Sequence, residues 1–224
     1  MTASAARLGV AAVGAVLLAS LAGHAHAVAL TAAEVAVACA DADGLAHCGR
    51  LIEDIQLKRL PSLAVREGDI LHITLYPSGR TSFADAPAPN GGRSYSLWDY
   101  LDTVNIAVLY VVQGDDASFA LLQRTNGRTY EVPAEPRLAP DRQRLVTADF
   151  CESRCTNEVA LFRLSRDAVR KEASWKPAEA WIDATARWKS ADTVEIEYTR
   201  SGDATTRTLE RRVGATGWAR VAQP

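Results

Sequence analysis

Residues 137–198 read RLAPDRQRLVTADFCESRCTNEVALFRLSRDAVRKEASWKPAEAWIDATARWKSADTVEIEY. Short apolar-alternating runs are separated here by turn signals at near-regular spacing, a pattern of strands rather than helices. Ala139-Pro140-Asp141 is a turn and RLVTADF a strand. Cys151-Glu152-Ser153-Arg154-Cys155 forms a tip, from which NEVALFRL returns with Val159, Leu161 and Leu164 apolar. Ser165-Arg166-Asp167 turns into AVRKEASW. Trp181 to Trp188 then leads through Ser190-Ala191-Asp192 into TVEIEY, where Val194, Ile196 and Tyr198 alternate with polar residues. The stretch predicts an antiparallel module of four or five short strands.

Reading outward, the same texture continues in both directions. GDILHITLYPSGRTSFAD, from Gly68, reads as a hairpin with Leu71, Ile73 and Leu75 on one face and a turn at Pro77-Ser78-Gly79. Asp85 to Arg93 is rich in Ala, Pro and Gly and reads as an exposed loop. Residues 103 to 132 read as a three-stranded meander with turns at Gly114-Asp115-Asp116 and Asn126-Gly127. Asn-Gly between apolar runs predicts a type I′ turn, whose two central residues both need positive φ. Ser201-Gly202-Asp203 turns into TTRTLERRV, and GWARV follows. The expected fold is all-β: an antiparallel meander or stack of small sheets over residues 63–224, propeller-like or sandwich-like.

Ala139-Pro140-Asp141-Arg142-Gln143-Arg144-Leu145-Val146 resembles the Ser-Pro-Asp-Gly-Lys-Arg-Leu turn-and-strand of periplasmic Tol-type and peptidase-type β-propeller repeats. Trp188 to Ile196 is similar to the same element one repeat later, at a separation of about one blade. The resemblance spans residues 103–200. It departs from the family pattern at Arg142, where the turn glycine belongs, and at Ala139, which replaces Ser. It implies a stack of small antiparallel sheets serving as a binding scaffold, and no family site residue carries over.

The segment ahead of this module differs. Arg7 precedes an apolar run of 13 residues, Val10 to Ala22, ending in Ala25-His26-Ala27. That is the layout of a secretory signal peptide, residues 1–27, cleaved after Ala27, and the run is short for a membrane span. His24 stands where a lipidated cysteine would be required after Leu21-Ala22-Gly23. Residues 28–62 form an N-terminal segment. Thr31 and Glu34 make a capping-box pattern that predicts a short helix ending near Asp41 to Gly44. In RLIEDIQLKRLPSL, Leu51, Ile52, Ile55 and Leu57 fit neither period cleanly, and a short strand is expected.

Cys39, Cys48, Cys151 and Cys155 all lie in the exported part. An even count in an oxidising compartment predicts two disulfides, Cys39–Cys48 and Cys151–Cys155, in preference to a thiolate zinc site. Without Arg7, 24 basic side chains stand against 27 acidic ones, a net charge of −3 with no basic stripe. No nucleic-acid partner is expected, and anionic lipid is a poor candidate as well. The expected location is periplasmic or secreted.

Motifs for chemistry are absent. No Gly-x-Ser-x-Gly, His-Glu-x-x-His or phosphate loop follows the signal. No metal or cofactor set is expected: Asp41-x-Asp43-Gly44 is a fragment of a calcium loop, and Asp115-Asp116 reads as a solvated turn. His47 sits inside the first disulfide loop. His72 is expected to be a partly exposed strand residue opposite Leu71 and Ile73. The aromatics are the sharper feature. Tyr95 and Trp98 follow the loop, Trp188 is expected to pack between sheets, and Trp175 and Trp181 flank Lys176-Pro177. Tyr95, Trp98, Trp175 and Trp181 are the candidate binding residues, for an envelope protein or a cell-wall glycan. A hydrolase built on His72, or a spacer with no small ligand, are the competing readings.

Overall fold

The structure is a computed structural model that describes residues 30–86, 92–165 and 168–221. The signal-peptide reading of 1–27, part of the loop at 85–93 and part of the turn at 165–167 lie outside the described residues. Among the described residues, two helices, α1 (Ala32–Ala38) and α2 (Leu45–Arg59), precede fifteen strands. The strands are β1 (Ala64–Glu67), β2 (Ile70–Thr74), β3 (Arg80–Ala84), β4 (Arg93–Leu101), β5 (Ile106–Gln113), β6 (Asp116–Gln123), β7 (Arg128–Val132), β8 (Arg137–Leu138), β9 (Arg144–Asp149), β10 (Glu158–Leu164), β11 (Val169–Trp175), β12 (Trp181–Trp188), β13 (Thr193–Arg200), β14 (Thr206–Arg212) and β15 (Ala219–Arg220). They form four antiparallel sheets, taken from the chain almost in order: β1–β3, β4–β7, β8–β11 with β15 on its outer edge, and β12–β14.

The sheets stack face to face, with an apolar core between each pair. Leu71, Ile73, Leu109 and Val111 lie between the first and second sheets. Ile106, Val108, Leu145 and Phe162 lie between the second and third. Val146, Leu161, Val194 and Ile196 lie between the third and fourth. The two middle sheets are buried on both faces, which is why β5 reads IAVLYVVQ without alternation. Its even-numbered residues face one core and its odd-numbered residues the other. The outer sheets bury one face only. In β13, Val194, Ile196 and Tyr198 are buried while Glu195 and Glu197 remain partly exposed. The array is an open stack, as the sequence pattern led us to expect, and the described strands do not close into a barrel.

Both ends of the chain tie down the stack. The last strand, β15, crosses back to pair with β11, setting Ala173 opposite Arg220 and Ser174 opposite Ala219. Trp218 just ahead of it is buried in the core between the third and fourth sheets. At the other end, α1 begins with the expected capping box: Glu34 N–H donates to Thr31 Oγ1 (3.2 Å) and Thr31 N–H to Glu34 Oε2 (2.7 Å). The disulfide Cys39–Cys48 joins its end to α2.

Three local expectations are corrected. Residues 51–57 are helical rather than a strand, because α2 buries Gly49, Ile52, Glu53 and Gln56, an i, i+3, i+4, i+7 stripe. Two of those four are polar, so the stripe is invisible to hydrophobic periodicity. Residues 93–101, treated as a cluster of aromatics after a loop, form β4 and extend the meander to four strands. Finally, the Asn126-Gly127 turn is not type I′. It is a four-residue loop, residues 124–127, in which Gly127 takes φ 71° and Asn126 does not take positive φ. Asn126 instead accepts from Arg128 N–H through Oδ1 at 2.9 Å. At the Pro140-Asp141 turn, Arg142 adopts φ 59°, a left-handed conformation that usually favours glycine.

Helix α2 lies along β4, the free edge of the second sheet, and makes the hydrogen bonds that a further strand would make. Glu53 accepts from Leu97 N–H through Oε2 at 2.9 Å, and Gln56 Nε2 donates to the Trp98 carbonyl at 2.8 Å. Arg50 Nη1 (2.8 Å) and Arg66 Nη2 (2.5 Å) donate to the Tyr95 carbonyl, while Tyr95 N–H donates to Asp85 Oδ1 (3.0 Å). Glu53 also pairs with both arginines, and Arg50 pairs with Asp85. The approach depends on Gly49. A Cβ there would stand 2.9 Å from Tyr110 Cδ1 and 3.0 Å from Ser96 Oγ. Alanine normally stabilises a helix interior by about 1 kcal/mol over glycine. Gly49→Ala is expected to lower stability instead, by about 1–2 kcal/mol in urea unfolding, because the crowding outweighs that gain. A stabilised variant would mean that the helix does not sit this close.

Candidate functional site

The stack leaves a concave surface where the loops of the second, third and fourth sheets meet. The β9–β10 hairpin ends in an eight-residue loop, residues 150–157. Two side chains hold that loop. Asp149 Oδ2 accepts from Thr156 N–H and Oγ1, both at 2.7 Å, and Asn157 Oδ1 accepts from Cys151 N–H at 3.3 Å. The disulfide Cys151–Cys155 closes the tip. On one side, facing the β11–β12 linker, lies a cavity of about 470 Å³ lined by Phe150, Asn157, Lys176, Glu179, Trp181 and Ser201 among others. On the other side, facing the β5–β6 turn, lies a broader one of about 1000 Å³ that includes Asp115, Asp116, Pro133, Asp149 and Arg154. Cys151, Glu152 and Ile182 line both, so the two form one groove divided by the disulfide hook.

Beneath the first cavity is an aromatic floor. Trp181 stacks on Tyr198 at 3.8 Å with an interplanar angle of 13°, and Phe150 (5.1 Å) and Trp175 (5.5 Å) pack around it. Such ring pairs add about 0.5–1.5 kcal/mol each beyond area burial, so the floor is rigid. The walls are polar. Arg154 bridges the hook to Asp116 across the second cavity at 2.9 Å, and Arg200 holds Glu179 at 2.6 Å. The Arg154–Asp116 pair is largely exposed on both sides and contributes at most about 1 kcal/mol, so a ligand can displace it. Asp115, Asp116, Asp149, Glu152 and Glu179 outnumber Lys176 and Arg154, which gives the groove an anionic lining.

The four aromatic candidates do not form one surface. Tyr95 packs beside Phe83 at the core between the first and second sheets, with Arg93 over its ring at 5.1 Å. Trp98 belongs to the next core, against Tyr110 and Phe119, and its indole N–H donates to Glu135 at 2.8 Å. Trp181 is 5% exposed in the third core. Trp175 is half-buried, with Arg211 4.2 Å above its ring. Of the four, Trp181 alone lines the groove. Trp188 packs partly buried between the third and fourth sheets, as expected, and its indole N–H donates to the Arg137 carbonyl at 2.9 Å. The groove residues that sequence reasoning passed over, among them Glu152, Arg154 and Ile182, are brought to Asp116 by packing alone. No motif announces them.

His72 also needs correction. It is 6% exposed rather than partly exposed, although it lies on the outer face of the first sheet. Its Nδ1 is 2.7 Å from Ser82 Oγ on the neighbouring strand, and its Nε2 is 3.4 Å from Glu67, which also pairs with Arg80. Long side chains reach over the imidazole from an otherwise exposed face. His47 is exposed and bonds Asp43 at 2.8 Å beside the first disulfide.

Among the described residues no cluster of three or more His, Cys, Asp or Glu side chains could hold a metal ion. No described helix is long and apolar enough to cross a membrane. The two disulfides belong to an oxidising compartment. Comparison with protein-family models, with curated proteins and with solved structures returns no match.

One carboxyl is set apart by its surroundings. Burial pushes Asp99, at the bulge in β4, above the ordinary aspartate value; a hydrogen bond from Tyr100 N–H opposes the rise, and Glu135 and Asp102 add to it. A carboxyl whose folded value is raised binds its proton more tightly in the native state. Its ionisation therefore costs stability as pH rises above the unfolded value of about 3.9. Asp99→Asn retains an oxygen for Tyr100 and is expected to be more stable than the parent at about pH 7. The advantage should shrink towards about pH 3 in urea titrations. An advantage that grows on acidification would reverse the sign of this account.

Proposed function

We propose that this chain is an exported binding module of the cell envelope, periplasmic or secreted, which holds a partner protein in the groove around the Cys151–Cys155 hook. The groove itself carries this reading: two adjoining cavities of about 470 and 1000 Å³ with a rigid aromatic floor and polar walls. A protein segment fits it better than a glycan. Sugar rings need an open aromatic face to stack on, and the face of Trp181 is already taken by Tyr198. The anionic lining favours a segment carrying lysine or arginine. The likeness to Pro-Asp propeller repeats belongs to this proposal. It is supported by the positions of Pro140-Asp141 and Ala191-Asp192, each ahead of the second strand of its sheet.

A second reading rests on Ser82, His72 and Glu67, whose spacing allows a hydroxyl, a base and an orienting carboxylate. It ranks below the first because the trio lies on a sheet face and lines neither cavity.

The test is capture from an envelope extract by residues 28–224, with Asp115→Lys/Glu152→Lys in the groove and Thr208→Lys on the outer face of the fourth sheet as control. A partner should be held by the parent and the control and bound about tenfold more weakly by the groove variant. Equal capture by all three overturns the groove. Labelling of Ser82 by a fluorophosphonate would favour the hydrolase.

A further inference from the structure

The two disulfides do different work. Cys39–Cys48 ties one helix to the next. Cys151–Cys155 ties a loop to itself, four residues apart, within a hairpin already closed by the pairing of Asp149 with Glu158. The Asp149–Thr156 and Asn157–Cys151 hydrogen bonds fix the same loop. Removing the second bridge therefore frees little chain. Both of its cysteines are partly exposed, Cys151 lines both cavities, and Cys155 lines the larger. The Arg154 N–H points at Cys151 Sγ from 3.3 Å.

We propose that Cys151–Cys155 is an exchangeable disulfide that accepts two electrons from a dithiol entering the groove. A thiolate of that dithiol attacks Cys155 Sγ. The S–S bond breaks, and its electron pair leaves on Cys151, whose thiolate accepts the Arg154 N–H hydrogen bond. The second thiolate of the dithiol then attacks its own sulfur in the mixed disulfide and releases Cys155. The dithiol becomes a disulfide, and its two protons end on Cys151 and Cys155. Asp115, Asp116, Asp149 and Glu152 surround the hook, against Arg154, so the groove repels anionic thiols and admits cationic ones. This goes beyond the binding reading and is tested with small thiols, so its failure leaves that reading standing.

The experiment follows folded residues 28–224 in dithiothreitol, alkylating free thiols and locating them by mass spectrometry. Cys151 and Cys155 should open while Cys39–Cys48 stays bonded, with the circular dichroism spectrum unchanged. At low salt, cysteamine should open the pair about tenfold faster than mercaptoethanesulfonate, and the gap should close at about 1 M salt. Arg154→Pro, which has no N–H to donate, should slow opening about fivefold. The proposal is overturned if both bridges open together, if opening the second unfolds the chain, or if the anionic thiol reacts as fast as the cationic one.

Discussion

Everything in this molecule depends on closing the free edge of β4. A four-stranded sheet buried on both faces still presents one row of unpaired amides and carbonyls along each edge, which must be satisfied or left to pair with another chain. Here the row is filled by side chains. Ala86 bridges Arg93, Asp85 takes the Tyr95 amide, and Arg50 and Arg66 take the Tyr95 carbonyl. Glu53 and Gln56 complete the row at Leu97 and Trp98. Glu53 is fully buried, and its two oxygens accept bonds from both arginines and the Leu97 amide. Breaking such a buried ionic group by removing one member costs about 3–5 kcal/mol.

With that edge closed, the rest follows from layering. The second and third sheets serve two cores each, one on either face. The groove lies at the ends of their strands, where loops from three sheets converge. The hook at 151–155 stands there because an eight-residue loop joins β9 to β10. The polar lining of the groove and the apolar stack beneath it are two consequences of one arrangement. The two outer sheets differ: each keeps a solvent face, and His72 is buried on one of them only because Glu67 and Arg80 extend beside it.

Much of the stack is legible in the residues. The alternation of Val194, Ile196 and Tyr198 marks a one-sided strand, the unbroken run in β5 marks a two-sided one, and close spacing pairs the cysteines. Thr31 and Glu34 mark the first helix start. Helix α2 stays hidden because its buried face is Gly49, Ile52, Glu53 and Gln56. Those residues read as helical and inward only once Arg66 and the β4 backbone are placed against them. The groove stays hidden for a related reason: Asp116, Arg154 and Ile182 come from three different sheets and meet only after packing. The aromatic residues mislead in the opposite way. Large rings draw attention in a sequence, yet Trp98 and Trp181 are spent on cores.

The most direct measurement is amide hydrogen exchange along β4 in the parent and in Glu53→Leu, which keeps the volume of the side chain and removes its acceptors. If helix α2 stands in for a neighbouring strand, the Leu97 amide is protected in the parent to the same order as the amides of β5. In the variant, Leu97 and Tyr95 should exchange at least about tenfold faster, while β10 and β13 keep their protection. Unchanged protection at Leu97 in a folded variant would contradict the account, because the edge would then be closed by something other than Glu53.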